Sequence, residues 1–286
     1  MNPEEVVLLF ADEYSRMAEA YDRNVTPRFA PIAERVLEAA APKPGEMFLD
    51  LGAGTGLVAC LLAPRVAPQG VVAIDLADGA LARASYRAAD LGIRSVRWEM
   101  MDVRNIVYRG GLFDGVVSNL GIPYFGTDRC FREVARVLKP VGRFVFAEWA
   151  ESPDPPQDAL LAGLQRHRNP DPPRKLAEVR AALEFARGSD GYRALRDAGR
   201  MTEALRAAGF RHAVETPVRH TAVFEPPESY LEYRLSWGPF EAEVAGMAPE
   251  ARRGFEEEMR RELSGIAGGD RLEVEWRFHL YTARPQ

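Results

Sequence analysis

The chain has 286 residues, 47% hydrophobic and 28% charged, with 37 basic against 42 acidic side chains and a formal net charge of −5. These are ordinary globular values with enough chain for a substantial core, and the acidic balance offers no attraction for nucleic acid or an anionic membrane surface. Only Cys60 and Cys130 are present, which excludes a disulfide framework and a thiolate metal site, and Met1-Asn-Pro-Glu-Glu lacks a secretory signal's basic patch and apolar run. Those features read as a cytoplasmic protein without membrane insertion. Lysine occurs only at positions 43, 139 and 175, an arginine bias compatible with a GC-rich or thermophilic bacterial source.

Residues Glu4 to about Ala20 are predicted to form an amphipathic helix, because Val6, Phe10, Tyr14, Met17 and Tyr21 recur at intervals of three and four. A second helix, Pro31 to about Ala40, stops at Pro42-Lys-Pro-Gly45. The predicted elements then alternate: strand 47–52, helix 56–66, strand 71–76, helix 79–91, strand 95–100, strand 113–119, helix 127–138 and strand 143–149. Alternation of this kind implies a parallel sheet covered on both faces, with ligands beyond the carboxyl ends of its strands. Past Trp149, proline clusters at 153–156 and 170–173 bracket a short helical stretch, and a longer helix follows at about Arg174–Arg187. The core resumes with helix Met201–Ala208, strand His212–Phe224 and a last strand Leu272–Arg284 whose alternation suits an antiparallel edge. Another helical insertion, Pro227–Ala267, separates those two strands.

The most informative segment is Leu49-Asp-Leu-Gly-Ala-Gly-Thr-Gly56, a glycine turn between the first strand and the helix after it. Gly52, Gly54 and Gly56 allow a sharp turn and close approach of a ligand, and the helix start offers free N–H groups. The second strand ends in Asp75, nineteen residues beyond Gly56, where a carboxylate can accept ribose hydroxyls. A dinucleotide fingerprint needs glycine at the first, third and sixth positions. Neither register fits, since the sixth position is Leu57 or Ala59. Asp50 also suits a cationic ligand rather than a pyrophosphate, which disfavours a nicotinamide reductase.

This pattern resembles the class I S-adenosylmethionine-dependent methyltransferases, whose acid-x-Gly-x-Gly-x-Gly is matched by Asp50 to Gly56. The resemblance continues in register through Asp75, through Met101-Asp102-Val103 after the third strand, through Phe113–Asn119 and through Arg136-Val-Leu-Lys-Pro-Val-Gly142. It resembles the ubiquinone and menaquinone biosynthesis branch in its core. It implies an α/β fold, a doubly wound, mostly parallel seven-stranded sheet of Rossmann-like type with an antiparallel last strand and helical lid insertions. It also implies S-adenosylmethionine as cofactor, with S-adenosylhomocysteine as product, held by Tyr21, Asp50, Gly52, Ala53, Gly54, Gly56, Asp75, Leu76, Met101, Asp102, Val103 and Asn119. The expected organisation is N-terminal helices 1–45 covering the cofactor, core 46–150, lid 151–198, core 199–226, a second helical insertion 227–267 and the last strand within 268–286.

The expected reaction is methyl transfer to oxygen, nitrogen or carbon of a small, apolar or aromatic acceptor. Tyr230, Tyr233 and Trp237, at helical spacing in the second insertion, would line an aromatic acceptor pocket. Alignment of the reacting atoms can supply ~7–11 kcal/mol, so a catalytic base is optional. Candidates for one are His167 in the lid, Tyr124 just after the fourth strand and Glu148 at the end of the fifth. His212, His220 and His279 read as surface or packing residues. No metal spacing and no Walker turn or Gly-x-Ser-x-Gly motif occurs. Rival readings are an RNA or protein methyltransferase, which a basic stripe or added module would favour, and a protein that binds the cofactor without transferring its methyl group. Ser118-Asn-Leu-Gly121 lacks the Asn/Asp-Pro-Pro-Tyr/Phe arrangement that positions an exocyclic amine, against the first rival. An oligomer is compatible with the sequence but not specified by it.

Overall fold

The computed structural model describes residues 1–285; Gln286, where the expected last segment ends, lies outside them. Helices α1 (Pro3–Asn24) and α2 (Thr26–Ala40) come first. Asn2 caps α1 in a reciprocal box with Glu5, its side chain accepting from the Glu5 amide at 3.0 Å while Glu5 accepts from the Asn2 amide at 2.9 Å. Helix α2 starts five residues earlier than its sequence pattern suggests. Pro27 sits in the first turn where no N–H is needed, and Pro31 forfeits only the bond to the Pro27 carbonyl.

The alternating core is β1 (Phe48–Leu51), α3 (Leu57–Val66), β2 (Val71–Asp75), α4 (Asp78–Asp90), β3 (Val96–Met100), β4 (Phe113–Asn119), α5 (Thr127–Val137) and β5 (Leu138–Trp149). After it come α6 (Pro155–His167), α7 (Arg174–Gly188), α8 (Asp190–Leu195), α9 (Ala198–Ala207) and β6 (Phe210–Phe224). The chain ends with α10 (Ser229–Leu235), α11 (Gly238–Ala245), α12 (Pro249–Ile266) and β7 (Leu272–Pro285). Among the described residues the strands form one seven-stranded sheet in the order β3-β2-β1-β4-β5-β7-β6. Strands β1 to β5 pair in parallel, whereas β7 runs antiparallel to β5, as its alternating pattern predicts. The winding reverses between β1 and β4, so their carboxyl ends flank the crevice where ligands of such sheets bind.

Strand β5 begins at Leu138, five residues ahead of its expected start. Phe113 pairs with Leu138 and Gly115 with Arg143, so Lys139–Gly142 is accommodated as an irregularity within the strand instead of a separate turn.

The chain divides into two compact units. Unit 2 comprises residues 29–151, 187–218 and Arg277 onward. Its core joins Leu49, Phe131, Phe144, Phe146, Phe210 and Tyr281, all fully buried or within 1% of it. Phe146 and Tyr281, opposite each other across β5 and β7, stack at 4.7 Å. Unit 1 comprises residues 1–28, 152–186 and 219–276. It packs Leu160 and Leu164 of α6 against Phe255 and Met259 of α12. Ion pairs bind α7 to its neighbours, Lys175 to Glu13 at 3.3 Å and Arg180 to Glu243 at 2.6 Å. No helix among the described residues is long and apolar enough to cross a membrane.

Candidate functional site

The glycine turn lies at the carboxyl end of β1 in unit 2. Gly52 and Gly54 have φ of +64° and +52°, a region that side chains with a Cβ rarely enter. Their surroundings differ. A Cβ on Gly52 would lie 2.8 Å from the Gly121 Cα, whereas a Cβ on Gly54 would meet nothing within 4 Å. Gly52 is therefore required by packing against the loop after β4, and Gly54 leaves its backbone open to a ligand.

Asp50 stands just before the turn at 1% exposure, and its Oδ2 has no hydrogen-bond partner among the described residues. Burial pushes its carboxyl well above the usual carboxylate range, opposed by the Ala59 amide and reinforced by the nearby charge of Asp75. A hydrogen-bond donor, neutral or cationic, is what this oxygen lacks. Asp75 is better provided: Oδ2 accepts from the Gly54 amide and Oδ1 from the Ala77 amide, both at 2.8 Å. Burial raises Asp75 too, while the Ala77, Gly54 and Leu76 amides pull it back. Three amides leave its two oxygens together with room for a further donor.

Ala53 closes the turn, its amide donating to the Ile74 carbonyl at 3.0 Å, and Leu76 follows half-buried. The segment 101–103 runs beside β2, with the Met101 amide on the Asp75 carbonyl at 3.0 Å and Val103 packed against the core. Asp102 is taken up by Arg104, whose backbone amide donates at 2.8 Å and whose Nη2 donates at 2.7 Å. Burial alone would raise its carboxyl, but the Arg104 contacts hold it below the ordinary range. Asn119 ends β4 with Oδ1 buried and unpartnered among the described residues. The next residue, Leu120, has φ +64°, a strained left-handed conformation for a side chain with a Cβ.

Glu148 lies at the same end of the sheet. It is 5% exposed and accepts from the Ile122 amide at 3.1 Å, one residue beyond the Gly121 that packs on Gly52. Burial raises its carboxyl to about 8 against the pull of the Ile122 amide and Arg196. Tyr124 is nearby, its phenol raised to about 12 by burial and then by the Glu148 charge. Its ring meets Tyr192 edge to face at 5.5 Å, and the Arg196 guanidinium sits 3.8 Å over Tyr192. Tyr192 and Arg196 were not singled out from the sequence because 151–198 looked like one insertion, yet residues 187–218 cluster with unit 2. The available signal was Gly191 inside a short helix. A Cβ there would lie 1.7 Å from the Tyr124 carbonyl oxygen.

Two candidates belong to unit 1. Tyr21 contacts Tyr14 and Trp237 edge to face at 6.1 and 5.8 Å. The Nε2 of His167 lies 2.8 Å from Glu258, which also pairs with Arg166, and its ring abuts Phe255. His279 binds Glu215 at 2.8 Å, and His220 packs against Trp276 at 6.0 Å between ring centres. Among the described residues no group of His, Cys, Asp or Glu is disposed to hold a metal ion.

A family described as a methyltransferase domain matches residues 48–142. Nocamycin O-methyltransferase of Saccharothrix syringae is 30% identical over 204 residues, spanning 69% of this chain and 70% of that protein. Demethylmenaquinone methyltransferase of Clavibacter sepedonicus is 33% identical over 180 residues, 60% of this chain and 68% of its own length. Among solved structures, a candidate methyltransferase of Bacillus halodurans C-125 shares the fold with a TM-score of 0.55 at 17% identity, over 89% of this chain and 99% of that one.

Proposed function

Because the chain belongs to the class I S-adenosylmethionine-dependent methyltransferases, we propose that it binds S-adenosylmethionine at the carboxyl ends of β1, β2 and β4 and methylates a small, apolar or aromatic acceptor. When bound, the cofactor supplies a methyl carbon activated by the adjoining sulfonium. Asp50 carries this reading: a buried carboxylate with one unpartnered oxygen beside an open glycine turn fits a ligand that brings positive charge. Asp75, already fixed by the Gly54 and Ala77 amides, accepts a ribose hydroxyl with the capacity that remains. Gly54 lets the backbone approach, and Leu76 and Met101–Val103 flank the base. Tyr21 is assigned to the cofactor by family resemblance alone.

Glu148 takes the proton released from the acceptor. Its burial keeps it a base strong enough to be useful near neutrality, and the Ile122 amide fixes one of its oxygens. Tyr124 orients the acceptor from the same loop. His167 is engaged by Glu258, so its part is to join α6 to α12. The segments 151–198 and 227–267 carry the determinants of acceptor choice, in keeping with relatives named for a nocamycin and a demethylmenaquinone substrate.

The test is release of S-adenosylhomocysteine from S-adenosylmethionine on addition of phenols, hydroxyquinones and aromatic acids. Acceptor-dependent release in the wild type, lost in Asp50→Ala, supports the proposal. Tight cofactor binding with no release above the acceptor-free background for any of them would contradict it.

A further inference from the structure

Strand β3, within unit 2, ends the sheet on one side, so one of its edges has no neighbouring strand among the described residues. Its other edge pairs in parallel with β2, where the Ser95 carbonyl accepts from the Val71 amide at 2.9 Å and the Met101 amide donates to the Asp75 carbonyl at 3.0 Å. The backbone groups of successive residues in a strand point to alternate sides, so the odd-numbered residues from Ser95 to Met101 face β2. Val96, Trp98 and Met100 therefore turn their N–H and C=O groups outward, away from the sheet.

Side chains alternate between the faces of the sheet. Arg97 and Glu99 share one face with their charged groups 3.8 Å apart, and the Tyr108 hydroxyl donates to Glu99 at 2.7 Å. The Arg97 side chain is 68% exposed, and Met100, on the other face, is 69% exposed. Charge on an open edge ordinarily turns unrelated strands away, but here two signs alternate, so the effect depends on register. Let two copies of β3 lie antiparallel with Trp98 opposite Trp98. Val96 of each then faces Met100 of the other, the outward backbone groups meet in hydrogen-bonded pairs, and Arg97 faces Glu99 twice. Those ion pairs fall at the non-hydrogen-bonded positions, where side chains come closest. Sliding two residues one way sets Arg97 against Arg97, and the other way sets Glu99 against Glu99. A slide of one residue opposes outward backbone groups to inward ones. Charge and backbone direction together thus select a single register.

We infer that the outer edge of β3 is an interface for a second copy of this chain, the two strands pairing antiparallel about a two-fold axis at Trp98. An isologous contact of this kind closes on itself and builds no fibre. Main-chain hydrogen bonds supply attraction, and the Arg97 and Glu99 pairs fix the register. Five residues a side fall short of a standard interface, so monomer and dimer are expected in equilibrium, with a dissociation constant below about 100 μM. The inference is independent of methyl transfer, since no residue of the proposed cofactor site takes part in the pairing.

Sedimentation velocity over a concentration series of the wild type, Arg97→Glu, Glu99→Arg and an equimolar mixture of the two variants tests the interface. The wild type is expected to dimerise. Each variant alone opposes like charges at both contacts and should self-associate at least about tenfold more weakly. In the mixture an acidic edge meets a basic one, and dimers should return. A wild type that stays monomeric up to about 100 μM overturns the inference and needs no variant that might misfold. So does a dimer that neither substitution weakens, or a mixture that associates no better than its components. Hydrogen exchange on the wild type locates the contact: the Val96, Trp98 and Met100 amides should exchange more slowly at concentrations that favour the dimer. Unchanged exchange at all three in a dimeric protein would place the contact elsewhere and overturn the inference.

Discussion

Asp50 and Glu148 are both buried carboxyls toward the carboxyl ends of parallel strands, β1 and β5, which β4 separates, yet their surroundings differ. Asp50 keeps an oxygen unpartnered among the described residues, so its charge is a cost to the protein alone and a gain to the complex with a cation. Asp50→Asn should therefore leave the melting temperature equal or higher while weakening S-adenosylmethionine binding by about 1.5–3 kcal/mol, roughly ten- to hundredfold. A calorimetric titration beside a thermal melt separates the two effects. Glu148 is raised to about 8 by burial, so the folded protein holds this proton where the unfolded chain has released it. Stability should fall as pH rises from the ordinary glutamate range to about 8 and level off above. The turnover number should do the reverse, climbing toward a plateau above about 8 as the base is freed. Glu148→Gln should flatten both profiles and cut turnover by ~10²–10⁴-fold, which urea melts and initial rates across pH 6–9.5 would check. Asp50 was legible in the sequence because its place before the glycines is a pattern. The raised Glu148 was legible only as a position, since its burial depends on the loop that packs across it.

At the scale of elements, the inner strands were readable because buried parallel strands are mostly apolar runs with glycine or proline near their ends, whereas edge strand β3 alternates apolar and charged residues. What escaped has a common cause. The start of β5, the short helix α8 and the early start of α2 each contain a proline or glycine that reads locally as a break, and tertiary packing accommodates it. The glycine turn shows how fine such distinctions are. Gly52→Ala would drive a Cβ to 2.8 Å from the Gly121 Cα, so it should lower the melting temperature and disturb the loop that carries Ile122 and Tyr124. Gly54→Ala meets no protein atom within 4 Å. Beyond ~1–2 kcal/mol of left-handed strain, its main effect should be loss of cofactor affinity. Paired melts and titrations of the two variants check this, and equal behaviour would remove the distinction.

Across the whole molecule, the sheet topology was inferable from one chain, whereas which polar side chains are buried was not. Tyr230, Tyr233 and Trp237 advertised an aromatic face by their spacing, but the buried Arg234 beside them is an ordinary arginine in a chain with 37 basic residues. Only its burial and its ring contacts distinguish it. Residues 187–198 read as the end of one continuous insertion, whereas they group with unit 2 ahead of the expected resumption of the core at 199.

The turn at Asp50–Gly56 and the carboxylate of Asp75 are proposed to hold S-adenosylmethionine. Calorimetric titration of the purified chain with S-adenosylmethionine, S-adenosylhomocysteine and NADH tests it most directly. Saturable binding of the first two at one site per chain, with no heat from NADH, is the expected result; binding of NADH alone would contradict it and point to hydride transfer.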